Sequence, residues 1–166
     1  MATLIAVPIF ALLIIFQSAI TSRITLAYGV ADLILLTIIA WGLNEKVETA
    51  WHWTLIGGIM TSIVSAVPFG ALFIGYLLAT FITLLLRKRV WKVPILAMFV
   101  ATFIGTLIIH LFTVISRWIS GVSIPIIDSF YYITLPTLIL NLLLAVPIYV
   151  IIKDLAKWIY PEKIET

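Results

Sequence analysis

From Thr49 to Leu86 the chain carries no Asp, Glu, Lys or Arg. A water-soluble fold has little use for such a stretch, because a surface helix needs a face that water can solvate. A bilayer does have a use for it, since its hydrocarbon core takes helices of about 20 apolar residues. The uncharged run is long enough for two crossings, and Pro68 divides it. The rest of the chain agrees: 64% of residues are hydrophobic, 10% are charged and mean hydropathy is +1.27. Soluble domains average about 45–50% apolar and about 25% charged. Residues 1–166 therefore read as one all-α integral-membrane domain, and water-soluble enzyme folds are excluded. No cysteine occurs, which removes disulfide frameworks, thiolate metal sites and cysteine nucleophiles.

Six segments reach or approach the length of a crossing: about 4–20, 28–43, 51–67, 68–86, 93–119 and 132–152. No Lys or Arg precedes the first, and Ala19 and Thr21 make a poor cleavage site. That segment is expected to be a retained helix rather than a signal peptide. Basic residues favour the cytoplasmic side. With six spans and both termini inside, eight of the ten Lys and Arg residues fall inside and only Arg23 and Arg117 outside. The largest inner group is the loop Arg87, Lys88, Arg89 and Lys92. Trp51, Trp53, Trp91, Trp118, Tyr131 and Tyr132 are expected at headgroup level. Ile151, Ile152, Leu155, Trp158 and Ile159 alternate with Lys153, Asp154 and Lys157 at helical spacing. They predict an amphipathic tail over about 151–160 along the inner interface, stopped by Pro161.

The stretch GGIMTSIVSAVPFG, Gly57 to Gly70, is rich in small residues. In lipid, small residues let helix backbones approach closely. Gly57, Gly58, Ser62 and Ala66 form one stripe, Pro68 and Gly70 the turn, and Gly75 and Ala79 a second stripe. Ala97, Ala101 and Gly105 form a third. Two readings are open: the stripes pack the chain's own bundle, or one of them receives a partner helix.

Intramembrane ionisable and polar groups are the natural functional candidates. Asp32 lies near the outer end of the second segment, as a helix-start carboxylate or as a partner of Arg23 or Arg117. His110 sits in the fifth segment. Gln17, Thr61 and Asn141 can bond between helices, and Asn141 can answer carbonyls freed by Pro136 and Pro147. Asn141, His110 and Thr61 offer only a thin case for a transport site at midplane. Nothing forms a paired-carboxylate, triad, metal-ligand or phosphate-loop constellation. No catalytic residue, metal or cofactor is expected, and the net charge of +3 needs no nucleic acid to explain it.

The order of these features resembles the MreD family of rod shape-determining membrane proteins. The residues that carry the resemblance are Ala31-Asp32-Leu33-Ile34 at the second segment, then Gly58-Ile59-Met60-Thr61-Ser62 followed by Val67-Pro68-Phe69-Gly70. The basic Arg87-Lys88-Arg89 comes next, and Leu135-Pro136 with Asn141 closes the pattern before a basic tail. The chain departs from the family at Ala31, where a proline is common, and at Ser62, where an Asp is common.

The resemblance implies a non-enzymatic scaffold in the bacterial inner membrane that serves lateral peptidoglycan synthesis and rod shape. The implied direct partner is MreC, met through its transmembrane and juxtamembrane segment. RodA, a class B penicillin-binding protein and MreB belong to the same complex, with membrane lipids around them. On this reading the third and fourth helices, with the outer loops, make the docking surface. The implied fold is like the substrate-binding S components of energy-coupling-factor transporters, which supplies the alternative function. An S component would need an outward ligand pocket, for which Trp118, Asp128, Tyr131 and Tyr132 are candidates, and Ala2 and Ala6 on the first helix would meet the coupling protein.

Overall fold

The computed structural model describes residues 2–21, 26, 28–67, 69–89, 93–122 and 125–161. Their order is α1 (Ala2–Thr21), α2 (Leu33–Leu43), α3 (Ala50–Val64), α4 (Phe69–Arg89), α5 (Pro94–Ile119), α6 (Ile126–Ser129), a π-helical turn (Phe130–Thr134) and α7 (Leu135–Ile159). Among the described residues there is no strand; Leu26 and Gly29 form an isolated bridge. Among the described residues, four helical stretches are long and apolar enough to cross a membrane: Ala2–Ala19, Gly70–Arg89, Pro94–Ile119 and Ile126–Ile159. The chain is thus compatible with a multi-pass membrane protein.

Two of the six expected segments are shorter than expected. The second is helical only from Leu33, giving 11 residues, and the third has 15. At 1.5 Å per residue these helices reach only about 16 Å and about 22 Å, against a hydrocarbon core of about 30 Å. The late start of α2 has a local cause. Asp32 acts as N-cap, its side chain accepting from Leu35 N–H at 2.9 Å, which fixes the first turn behind it. The last expected segment is longer than expected. It starts at α6 and runs through the expected tail to Ile159 as one helical column.

α2 is the hub. All eleven of its residues are buried, as suits a helix that is apolar all round, and it packs against α1, α3, α4, α5 and α7. The small residues set the spacing around it. A methyl group on Gly75 would lie 3.0 Å from Ile109 Cγ1, and one on Gly105 would lie 3.4 Å from Ala79 Cβ and from Ile39 of α2. On α3, Gly57 faces the Phe10 ring of α1 and Gly58 faces Phe73 of α4. Apart from Ala66, which is exposed, the stripes therefore pack the chain's own bundle. Ala2 and Ala6 are likewise buried inside it.

Aromatic groups join the two halves of the sequence at one end. Trp41 and Trp53 stack at 3.9 Å, and Trp53 donates its indole N–H to the Ala2 carbonyl at 3.1 Å. Trp41 also lies 6.2 Å from Tyr160. Trp53 is therefore core, 0% exposed, whereas Trp51, two residues earlier, is 41% exposed. Arg87 belongs to the same end. Its Nη1 donates to the carbonyls of Gly42, Asn44 and Val47 at 3.3, 3.1 and 3.0 Å. This basic end collects the C-terminus of α2, the N-terminus of α3, the end of α4 and the end of α7.

Candidate functional site

At the opposite end, the chain leading into α2 is not helical from Tyr28 to Asp32. Its backbone must be satisfied by protein, because irregular backbone at membrane depth is tolerated only where protein or a cavity supplies partners. α7 supplies most of them. Val30 N–H donates to Thr137 Oγ1 at 3.1 Å and Asp32 N–H to Asn141 Oδ1 at 2.8 Å. The spacing makes this possible. Two residues of drawn-out chain advance at most about 7 Å, and four residues of helix advance about 6 Å. Thr137 and Asn141, four apart on one face, thus stand in for the neighbouring strand of a sheet.

Proline adds a third rung. Pro136 has no N–H, so the carbonyl four residues earlier, Tyr132, loses its helical donor. Tyr28 N–H donates to that carbonyl at 3.1 Å. The π-helical turn, closed by Leu135 N–H on the Phe130 carbonyl, precedes this point. Close approach requires Gly29, since a Cβ there would sit 2.6 Å from both Pro136 Cβ and Thr137 N. Leu33 N–H completes the set, donating to Gln17 Oε1 of α1 at 3.1 Å.

From this strap the polar network spreads across four helices. Asn141, fully buried, also donates through Nδ2 to Thr106 Oγ1 of α5 at 2.9 Å. Tyr76 of α4 donates its hydroxyl to the Asp32 carboxylate, 2.9 Å from Oδ2 and 3.2 Å from Oδ1. His110 Nδ1 lies 3.2 Å from Thr134 Oγ1. Beside the network is a cavity of about 680 Å³, whose walls include Asp32, Tyr76, His110, Arg117, Gln17 and Thr61. It offers a carboxylate and a phenol at the α2 opening, an imidazole on α5 and a guanidinium nearer the α5 terminus. Such a set can hold a small polar ligand by hydrogen bonds. Among the described residues, no three of His, Cys, Asp and Glu lie close enough to hold a metal.

Of the two readings of Asp32, the helix-start carboxylate is the one observed: it accepts from Leu35 N–H and from the Tyr76 hydroxyl. Other expectations are corrected by this geometry. Arg117 lines the same cavity, and Arg23 lies outside the described residues. Asn141 does not serve carbonyls freed within its own helix; it ties α7 to α2 and α5. Of the expected midplane trio, His110 and Thr61 line the cavity, while Asn141 touches it only through Asp32. Trp118, Asp128, Tyr131 and Tyr132 are exposed and do not form the cavity wall.

The proposed partner face also moves. Gly57, Gly58, Ser62, Gly75 and Ala79 are buried in the bundle, so they offer no surface to a second protein. Ala66 and Gly70 are exposed, with nothing within 4 Å of the Gly70 methyl position. Pro68 and Lys92 lie outside the described residues, as does Trp91. Arg87 is turned inward on α2, whereas Lys88 and Arg89 are exposed.

Tyr76, Thr106, Thr134 and Thr137 were not legible as site residues. Their one sequence signal is polar groups on otherwise apolar helices, and Thr137 four residues before Asn141 is the clearest case. No protein-family model, curated protein or solved structure matches the chain.

Proposed function

We propose that the chain is a non-enzymatic scaffold subunit of the bacterial machinery that builds the lateral cell wall, similar to MreD. Its direct partner is MreC, and RodA, a class B penicillin-binding protein and MreB share the complex. The observation that carries this reading is the contact between the residues on which the resemblance rests. Asp32 and Asn141 are 109 positions apart, yet they share a 2.8 Å hydrogen bond. A pattern of soft motifs gains weight when its separated members serve one structural purpose.

The reading carries a topology of six crossings, both termini cytoplasmic, in the inner membrane, with a fold like that of an S component. For the second crossing, the 11 helical residues of α2 supply about 16 Å. The five lead-in residues supply up to about 16 Å more. Together they match the hydrocarbon thickness. The basic end is then cytoplasmic, and the cavity opens outward.

MreC lies along the exposed ridges of α3 and α4, for example Ile59 and Ile63, or Ile74 and Leu78, all exposed. Because the chain has no cysteine, single cysteines at these four positions can report contact by oxidative cross-linking to a cysteine in the MreC transmembrane segment. Cross-links at helical spacing on one ridge are expected. The basic test is native mass spectrometry of protein gently extracted from its own membrane. Absence of an MreC-type partner, with a vitamin-sized molecule bound instead, would sink the scaffold reading. It would favour the second reading, a substrate-binding transporter subunit, for which the cavity around Asp32 and Tyr76 is the supporting observation.

A further inference from the structure

A second cavity, of about 260 Å³, lies at the basic end. Its walls come from four separate parts of the chain: the α2–α3 connection, the end of α4, the first turn of α5 and the last turns of α7. Lys46, Arg87, Lys153 and Lys157 all line it, against a single carboxylate, Glu45. Four cations drawn from three regions of sequence around one hollow are not explained by packing, since like charges gathered together repel.

Arg87, Lys153 and Lys157 are each held in a definite way. Arg87 is fixed by Nη1, which bonds the carbonyls of Gly42 and Asn44 at the α2 terminus and of Val47 in the connection after it. Lys153 Nζ stands 5.9 Å from the Tyr149 ring, and Tyr149 also lines the cavity. Lys157 shares an exposed ion pair at 3.5 Å with Asp154, a contact that water weakens. Pro94 and Ala97 bring in the first turn of α5, whose N-cap Val93 makes no side-chain cap. That helix end adds a partial positive charge. Asn44 is the one neutral polar residue of the lining, and Leu43, Pro94, Ala97 and the Tyr149 ring supply its apolar part. Nearby Trp158 is 75% exposed, as suits a residue at headgroup level.

We infer that this cavity binds the phosphate headgroup of an anionic phospholipid, with Lys153 and Lys157 of α7 as the principal cations. The shared chemistry is a phosphate oxygen set against Lys and Arg, and its source is membrane lipid. Basic pockets between helices at the membrane surface suit such headgroups. The inference needs only that the chain lies in a membrane, and it holds for a scaffold and for a transporter subunit alike.

The full chain, purified and delipidated in detergent, is titrated with phosphatidylglycerol or phosphatidylcholine and read by native mass spectrometry. Phosphatidylglycerol is expected to bind in preference to phosphatidylcholine. The double variant K153Q/K157Q is expected to weaken phosphatidylglycerol binding about tenfold or more, and K153R/K157R to keep it. The control K88Q/R89Q removes the same charge from two exposed side chains of the same end that do not line the cavity, and is expected to bind like the parent. Equal loss in K88Q/R89Q would reduce the effect to general surface charge and overturn the site. So would equal binding of the two lipids, or unchanged binding by K153Q/K157Q. Displacement of the lipid by millimolar inorganic phosphate would overturn lipid as the source.

Discussion

The two ends of α2 meet the same difficulty by different means. Both ends leave backbone groups without helical partners, as every helix does. At the basic end a single cation, Arg87, takes three carbonyls through one nitrogen. At the opposite end the Asp32 carboxylate caps Leu35 N–H, and the N–H groups of Val30, Asp32 and Leu33 are answered one at a time by neutral side chains from α1 and α7. The first arrangement is compact and sits where water can also reach. The second is dispersed, needs three helices in register, and has a cavity beside it. A helix end near a membrane surface can rely on one charge. A helix end set back in the bundle needs a separate partner for each group.

That comparison can be broken first at Asn141. Replacing it with Leu leaves the Asp32 N–H and the Thr106 hydroxyl without their partner. Interhelical hydrogen bonds in membranes average only about 0.6 kcal/mol. An unsatisfied buried group, in contrast, costs about 1–3 kcal/mol. Asp32 N–H belongs to non-helical backbone with no alternative acceptor on its own helix, so N141L, which leaves two groups unpaired, is expected to lose about 2–4 kcal/mol by thermal or denaturant unfolding in detergent. A loss under about 1 kcal/mol would mean that water from the cavity replaces the amide.

Arg87→Met tests the other end. It removes three bonds at once, yet the freed carbonyls can turn to interfacial water, so about 1–2 kcal/mol is expected. If R87M costs more than N141L, the contrast between a wet end and a dry end is wrong. The smallest effect is expected from Tyr76→Phe, about 1 kcal/mol, because Asp32 keeps its bond to Leu35 N–H. A neutral result in Y76F would show that the phenol serves the cavity rather than the fold.

Some of this was legible in the sequence for reasons that are physical. The uncharged runs require apolar helices whatever their neighbours, and Asp32 before an apolar segment reads as a helix start. The glycines of α3 and α4 announce close packing. The direction of packing was not legible. In a membrane both faces of a helix are apolar, so the periodicity that marks the core side of a soluble helix is lost. Trp51 and Trp53 therefore look alike in sequence, although one is exposed and the other stacks on Trp41. The cavity is harder still. Tyr76, His110 and Asp32 come from three helices with no shared local pattern, and the strap against α7 depends on contacts more than 100 positions apart.

The strap also imposes an order of events on biosynthesis. Thr137 and Asn141 follow their partners Val30 and Asp32 by 107 and 109 positions. At about 5–20 residues per second, the ribosome makes that distance in roughly 5–20 s. During that interval the entry to α2 has none of its α7 partners, and lipid offers no substitutes. The Val30 and Asp32 N–H groups therefore wait on other partners until the last helix arrives. The hub of the bundle is among the first parts made and among the last to be secured.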